Sequence, residues 1–287
     1  MIENFVVING ELKEESDGMI PVFDRGYQLG DGVFARVSVY NGRCFAIIPH
    51  MDDLLKSMVG IKIPGIYTVE EMVSFHEELI EATGLVDGEI YTQVTRGDSS
   101  CSVDFPGMII PRITLMAVEV DRKKISDQQK DGVNIITVKD DRWQRCDINS
   151  LNRLPEVLAK QAARVSRAHE AVFVREDGNV TEGIDGNVFL VKDGILWTHP
   201  ENNFIHNRIS RRIIKERLAK DMNIPVVEKE FNVEFALTAQ EIFLVGTHYE
   251  VLPITKIDRQ TIADKTVGEI TRRIQIAYKA FIKNECY

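Results

Sequence analysis

Chemistry has few footholds of fixed spacing in this sequence. The six histidines (His50, His76, His169, His199, His206, His248) are scattered and neither HExxH nor CxxC occurs, so no metal is expected. The phosphate loops GxGxxG and GxxxxGK[ST] and the nucleophile elbow GxSxG are absent too. The run Ser99-Ser100-Cys101-Ser102 could display a nucleophile, although a polar loop tip is the ordinary role for such a run. Spacing alone assigns no reaction, so the reactive groups have to be located through the elements that carry them.

Short alternating runs predict strands over Met19–Phe23, Val33–Tyr40, Glu89–Thr95 and Ile113–Val120, with Cys44–Ile48 following an Asn41-Gly42 hairpin turn. Helical spacing covers His50–Val59 and Glu70–Thr83, the latter with Met72, Phe75, Leu79 and Ile80 on one face. The polar stretch Glu119–Asp131 reads as a boundary. It separates an N-terminal α/β domain, 1–120, from a C-terminal one, 133–287, through a linker, 121–132. In the second domain, strands are expected at Val133–Val138, Ala171–Arg175, Val188–Val191, Ile195–Thr198 and Glu241–Gly246. Helices are expected from Pro155 to His169 with Val157, Leu158 and Val165 inward, over Ser210–Met222 with Ser210 as N-cap, and over Ile270–Lys283. The fold class is α+β in two domains.

With 287 residues, 44% of them hydrophobic, the chain can bury a large core without metal or disulfide staples. Its charge, 35 Lys+Arg against 44 Asp+Glu, is −9, and no basic stripe appears, so a nucleic-acid partner is not expected. No apolar run reaches the roughly 20 residues that span a bilayer, so no membrane partner is expected. The N-terminal stretch with Glu3, Glu11, Glu14 and Glu15 lacks the secretory pattern, and the four scattered cysteines fit a reducing compartment; a cytoplasmic protein is expected.

Asp24-Arg25-Gly26-Tyr27-Gln28 running into Gly30-Asp31-Gly32-Val33-Phe34 resembles the opening signature of the class IV aminotransferases, the fold-type IV pyridoxal-phosphate enzymes. Arg142-Trp143, Arg145-Cys146-Asp147-Ile148, Ser150-Leu151-Asn152 and Leu158-Ala159-Lys160-Gln161 are similar to the D-amino-acid transaminase branch. Thr181-Glu182-Gly183, Asn187-Val188-Phe189 and Thr198-His199-Pro200 continue the match. The resemblance implies two α/β domains with the cofactor between them, and a homodimer in which loops of one subunit reach the other's site.

The same comparison exposes departures. The family's lysine, which holds the cofactor aldehyde as a Schiff base and shuttles the substrate's α-proton, precedes Ser-Leu-Asn; here that position is Asn149. A carboxamide has no basic nitrogen and can do neither. The phosphate arginine of a His-x-x-Arg-Leu pattern is Asp53, and the glycine of a Gly-Ile-Thr turn is Arg208, ahead of Ile209 and Ser210. Thr247 is followed by bulky His248 and Tyr249, and the serines after Thr-Glu-Gly are Ile184, Asp185 and Gly186. The carboxylate-clamping Arg-x-His pair is replaced by Cys101 and Val103, and a Tyr and Glu by Phe34 and Ala35. Glu182, the family's partner for the pyridine nitrogen, is kept. Cofactor contacts are therefore implied only at Glu182, Ile209, Ser210 and Thr247. Asp53 and Arg208 are expected to form an ion pair filling the phosphate cup, and no cofactor is expected.

Three functions follow. In the first, a dismantled aminotransferase site in the interdomain cleft serves another small molecule without pyridoxal phosphate. Arg142, Arg145 and Tyr249 would contact it, Glu182 and His248 would provide acid–base chemistry, and Cys101 a nucleophile. Arg142 and Arg145 also have an ordinary reading as partners of Asp140, Asp141 or Asp147. The second is a pyridoxal-phosphate transaminase or lyase for D- or branched-chain amino acids. The third is a non-catalytic pseudoenzyme dimer.

Overall fold

The computed structural model describes residues 4–100, 102–262, 264 and 266–287. The chain divides into two units, one of Met1–Asp121 with Ile148–Asn152 and Ile282–Tyr287, the other of Arg122–Asp147 with Arg153–Phe281.

The first unit runs β1 (Phe5–Ile8), β2 (Glu11–Glu14), α1 (Arg25–Leu29), β3 (Gly32–Tyr40), β4 (Arg43–Cys44), α2 (Ile47–Gly60), α3 (Val69–Thr83), β5 (Gly88–Thr95) and β6 (Arg112–Glu119). Its six strands are ordered β2-β1-β6-β5-β3-β4. Asn41 and Gly42 both take positive φ, the two-residue turn expected from the sequence. Met51, Leu54, Met72 and Leu79 of the two long helices pack with Val33, Val37, Ile90 and Leu115 of the sheet. Residues 148–152 join this unit as an added edge: Phe34 N donates to Asn149 O at 2.9 Å and Leu151 N to Gly32 O at 3.0 Å. A Cβ on Gly32 would stand 2.5 Å from Val94 O and 2.6 Å from Leu151, so only glycine admits this approach.

Three local expectations change. Met19–Phe23 forms no strand; the segment is exposed and leads to Asp24, whose side chain caps α1 by accepting from Gly26 N. Only Arg43–Cys44 pairs with β3 before α2 takes over at Ile47. The expected linker is helix α4 (Arg122–Asp131) of the second unit, with Ile125 and Gln129 buried, because its polarity belongs to an exposed helix face.

The second unit continues with β7 (Val133–Lys139), α5 (Leu154–Val165), β8 (Glu170–Val174), β9 (Val180–Gly183), β10 (Asn187–Lys192) and β11 (Ile195–Thr198). Then come α6 (Ile209–Ile213), a π-helical stretch (Ile214–Leu218), α7 (Ala219–Asp221), β12 (Val226–Glu228), α8 (Val233–Leu237), β13 (Glu241–Gly246), β14 (Glu250–Ile257), β15 (Gln260–Thr261) and α9 (Glu269–Cys286), whose residues from Ile282 on group with the first unit. The strand order is β12-β11-β10-β13-β14-β7-β8-β9, and β9 also pairs β10, so the path from β10 to β9 closes on itself. Helix α5 is turned opposite to expectation: Ala159 and Ala163 pack on Ala171 and Phe173, while Val157, Leu158 and Val165 are exposed. Small residues let this helix lie close to β8, and that decides its face.

His76 is fully buried on α3. Its Nδ1 lies 2.7 Å from Met72 O, which can only accept, and its Nε2 lies 2.8 Å from the Thr92 hydroxyl, which donates to it. Burial pulls this histidine down from 6.5 to about 4, so the native ring is neutral. As pH falls below the unfolded value, the unfolded chain binds a proton that the folded one refuses, and stability is lost. Going from about pH 7 to about pH 5 is expected to remove about 2 kcal/mol through this residue. Urea unfolding should show a smaller loss over that interval in His76→Gln; equal losses would contradict the assignment.

Candidate functional site

The closing pair of the second unit's sheet is Glu182 opposite Asn187. Glu182 is 1% exposed. Arg142 Nη1 donates to its Oε1 at 2.6 Å, while Oε2 accepts from His206 N at 3.2 Å and Asn187 Nδ2 at 3.3 Å. Arg208 Nη2 lies 3.7 Å from Oε2. Arg142 is gripped from behind by Asp140, Nε to Oδ1 and Nη2 to Oδ2 both at 3.0 Å, and Arg175 Nη1 reaches Asp140 Oδ2 at 3.3 Å. The ion pairs thus form one chain, Arg175–Asp140–Arg142–Glu182–Arg208, alternating in sign with a cation at each end. Thr181 donates to Asp140 Oδ2 at 3.1 Å, and the guanidiniums of Arg142 and Arg175 lie over the rings of Phe173 and Phe204 at 4.1 and 4.0 Å.

Burial pulls the Arg142 pKa down, but Glu182 and Asp140 more than offset this and keep it raised. Burial likewise pushes Asp140 up, and the neighbouring Arg142 and Arg175 outweigh it, leaving Asp140 below the usual carboxylate range. Burial, reinforced by Arg208, drives His206 down to about 3, so its ring is neutral and Nδ1 donates to Asp147 O at 3.2 Å.

Arg208 holds the N-cap position of α6, with no side-chain cap. Its Nη2 donates to Ile184 O at 3.4 Å, and its Nε is buried without a hydrogen-bond partner. Tyr249 is 1% exposed and its hydroxyl also has none. A Cβ on Gly186 would stand 2.1 Å from that hydroxyl, so the tyrosine occupies room that any larger residue there would need. Burial, with Glu170 and Asp185 nearby, raises the Tyr249 pKa and keeps the phenol protonated. Asn187 Oδ1 is a third buried atom lacking a partner.

Several expected roles are corrected. Within their own units, Asp53 lies 3.3 Å from Lys56 of its helix and Arg208 lies 3.7 Å from Glu182. Arg142 is held by two carboxylates, and Arg145 is an exposed residue forked onto Asp147 at 2.9 Å; the ordinary ion-pair reading describes both. Glu182 makes no hydrogen bond to His248, which with His169, Lys160 and Lys124 lines a separate cavity of about 1170 Å3. Ile209 and Ser210 begin α6, with Ser210 buried beside Tyr278 and not at the cap, and Thr247 lies in the turn between β13 and β14. Cys101 falls outside the described residues. Among the described residues no group of three or more His, Cys, Asp or Glu could hold a metal, and no helix is long and apolar enough to cross a membrane. Sequence reasoning gave no site role to Arg175 or His206; both come from loops or strand ends that only the closed sheet brings to Glu182 and Asp140.

A family model described as Amino-transferase class IV matches residues 32–257. The chain is 40% identical over 279 residues to a D-alanine aminotransferase of Staphylococcus epidermidis, covering 97% of this chain and 98% of the relative. It is 37% identical over 280 residues to that of Bacillus licheniformis, with 98% of each covered. A branched-chain aminotransferase structure from Thermoproteus uzoniensis, with norvaline, superposes with TM-score 0.87 at 27% identity, over 98% of this chain and 95% of that one. The PLP-form (holo-form) branched-chain enzyme of Thermobaculum terrenum superposes with TM-score 0.86 at 22% identity, over 99% and 95%. The fold is that of the fold-type IV aminotransferases. The chain belongs to the class IV aminotransferase family. These findings overturn the expectation that no cofactor is involved: the family is one of pyridoxal-phosphate enzymes, and a structural neighbour was solved in its PLP form.

Arg142→Met removes the cation between two buried carboxylates. It is expected to cost about 3–5 kcal/mol in urea unfolding, because both buried acids lose their closest cation and keep only the end arginines, Arg175 and Arg208. Arg142→Lys should recover part of this, lacking the fork. A loss under about 1 kcal/mol in Arg142→Met would contradict the network.

Proposed function

We propose that this chain is a pyridoxal-phosphate-dependent aminotransferase of the D-alanine aminotransferase type, acting on D- or branched-chain amino acids, that holds its cofactor without a covalent tether. The relatives' names support the substrate class, and the PLP-form neighbour supports the cofactor. The observation that carries this reading is the Glu182 carboxylate. Of its roughly four acceptor positions, hydrogen bonds from Arg142, His206 and Asn187 occupy three, leaving one on the Oε1 side for a protonated ring nitrogen. The unpartnered Arg208 Nε and Tyr249 hydroxyl are donors suited to an anionic tail, so the residues present fit the group at both ends.

The cofactor, when bound, supplies an electron-withdrawing ring that eases loss of a group from the substrate's α-carbon. The chain's own residues do the rest. Glu182 binds and orients the ring nitrogen, and Arg142 with Asp140 holds Glu182 still. His206, neutral, adds its backbone N–H without adding charge. Asn149, at the position of the family's lysine, exchanges hydrogen bonds but moves no proton. Proton transfer at the α-carbon is left to another group or to solvent, and turnover is slow.

Asn149 itself favours a second reading, in which the protein was repurposed to bind a pyridine phosphate without transaminating. The test supplies cofactor, D-alanine or a branched-chain amino acid, and a 2-oxo acid acceptor to the wild type and to Asn149→Lys. The first reading expects slow transamination by the wild type, rising at least about 100-fold in the variant. Saturable cofactor binding with no turnover in either protein would overturn it in favour of the second.

A further inference from the structure

We propose that Arg208 is the anchor for the ligand's anionic group: a guanidinium that rests against Glu182 and turns to the phosphate of a bound pyridine phosphate. This deepens the cofactor reading and rests on it. The five-charge chain carries three cations, Arg175, Arg142 and Arg208, against two anions, Asp140 and Glu182, so one positive charge is unbalanced. Arg208 is its loosest member. Glu182 already has Arg142 at 2.6 Å and two further N–H donors, whereas Arg208 stands at 3.7 Å, beyond hydrogen-bond distance.

Its remaining bond, to Ile184 O, is long at 3.4 Å, and its buried Nε donates to nothing. The second unsatisfied donor, the Tyr249 hydroxyl, adjoins Gly186 of the same short turn. The carboxylates around Tyr249 are already neutralised, Asp185 by Arg153 and Glu170 by Lys160, each at 3.1 Å. Two idle donors and one surplus positive charge beside one turn call for an anion rich in acceptors. A phosphate monoester matches the guanidinium fork in charge and geometry. Turning Arg208 towards it sacrifices one loose pair and one long bond.

Titration calorimetry with pyridoxamine 5′-phosphate and with pyridoxamine, which lacks the phosphate, tests this on wild type, Arg208→Gly and Arg208→Lys. The wild type is expected to prefer the phosphate ester. That preference should fall about 10- to 100-fold in Arg208→Gly and recover in part in Arg208→Lys. Arg208→Gln, uncharged but of similar length, gives the same readout if glycine unsettles the helix start. A preference unchanged or increased in Arg208→Gly would make Arg208 an obstruction and overturn the proposal. Wild type that binds both compounds equally well overturns it while leaving the cofactor reading standing; wild type that binds neither overturns both.

Discussion

A carboxylate taken wholly out of water costs several kcal/mol unless charge and hydrogen bonds replace the solvent it loses. The second unit meets that cost for two carboxylates at once. Asp140 and Glu182 share Arg142 between them, and Arg175 and Arg208 close the two ends. Glu182 is held chiefly by Arg142, His206 N and Asn187, and Asp140 by Arg142, Arg175 and Thr181. The result is an acceptor fixed in place on β9, with one lone pair still to offer.

The fold supplies this by closing a sheet. Asp140 follows β7, Arg175 follows β8, Glu182 sits on β9 and Asn187 opens β10, so the neighbours of Glu182 arrive from successive strands of one ring. His206 and Arg208 enter from the loop that starts α6. Orientation comes from backbone as well as charge: the Glu182–Asn187 pairing sets the carboxylate against the Asn187 amide, and His206 N completes it. In the first unit, the edge contact of residues 148–152 with β3 fixes the backbone of Asn149 with comparable strictness.

The alternating and helical periods of the sequence were enough to locate β3, β5, β6, β11, β13 and the long helices, because each buries one regular face. They misjudged α5, where two alanines, weak signals in any hydrophobicity pattern, outrank three larger residues by allowing close approach to β8. They also missed β9, too short at Val180–Gly183 to have a period, although it carries Glu182. Family signatures pointed to Glu182 and to the altered positions 53, 149 and 208. The contact of Arg208 with Glu182 was illegible, because only the folded sheet brings the two side chains together.

The most direct measurement is mass spectrometry of the protein isolated from its own host, recorded under native and then denaturing conditions. A cofactor held without a tether gives a native mass increased by a pyridine phosphate that is lost completely on denaturation, leaving the 32.6 kDa chain. A cofactor mass that survives denaturation, or a chain that carries no cofactor under native conditions, would contradict untethered binding.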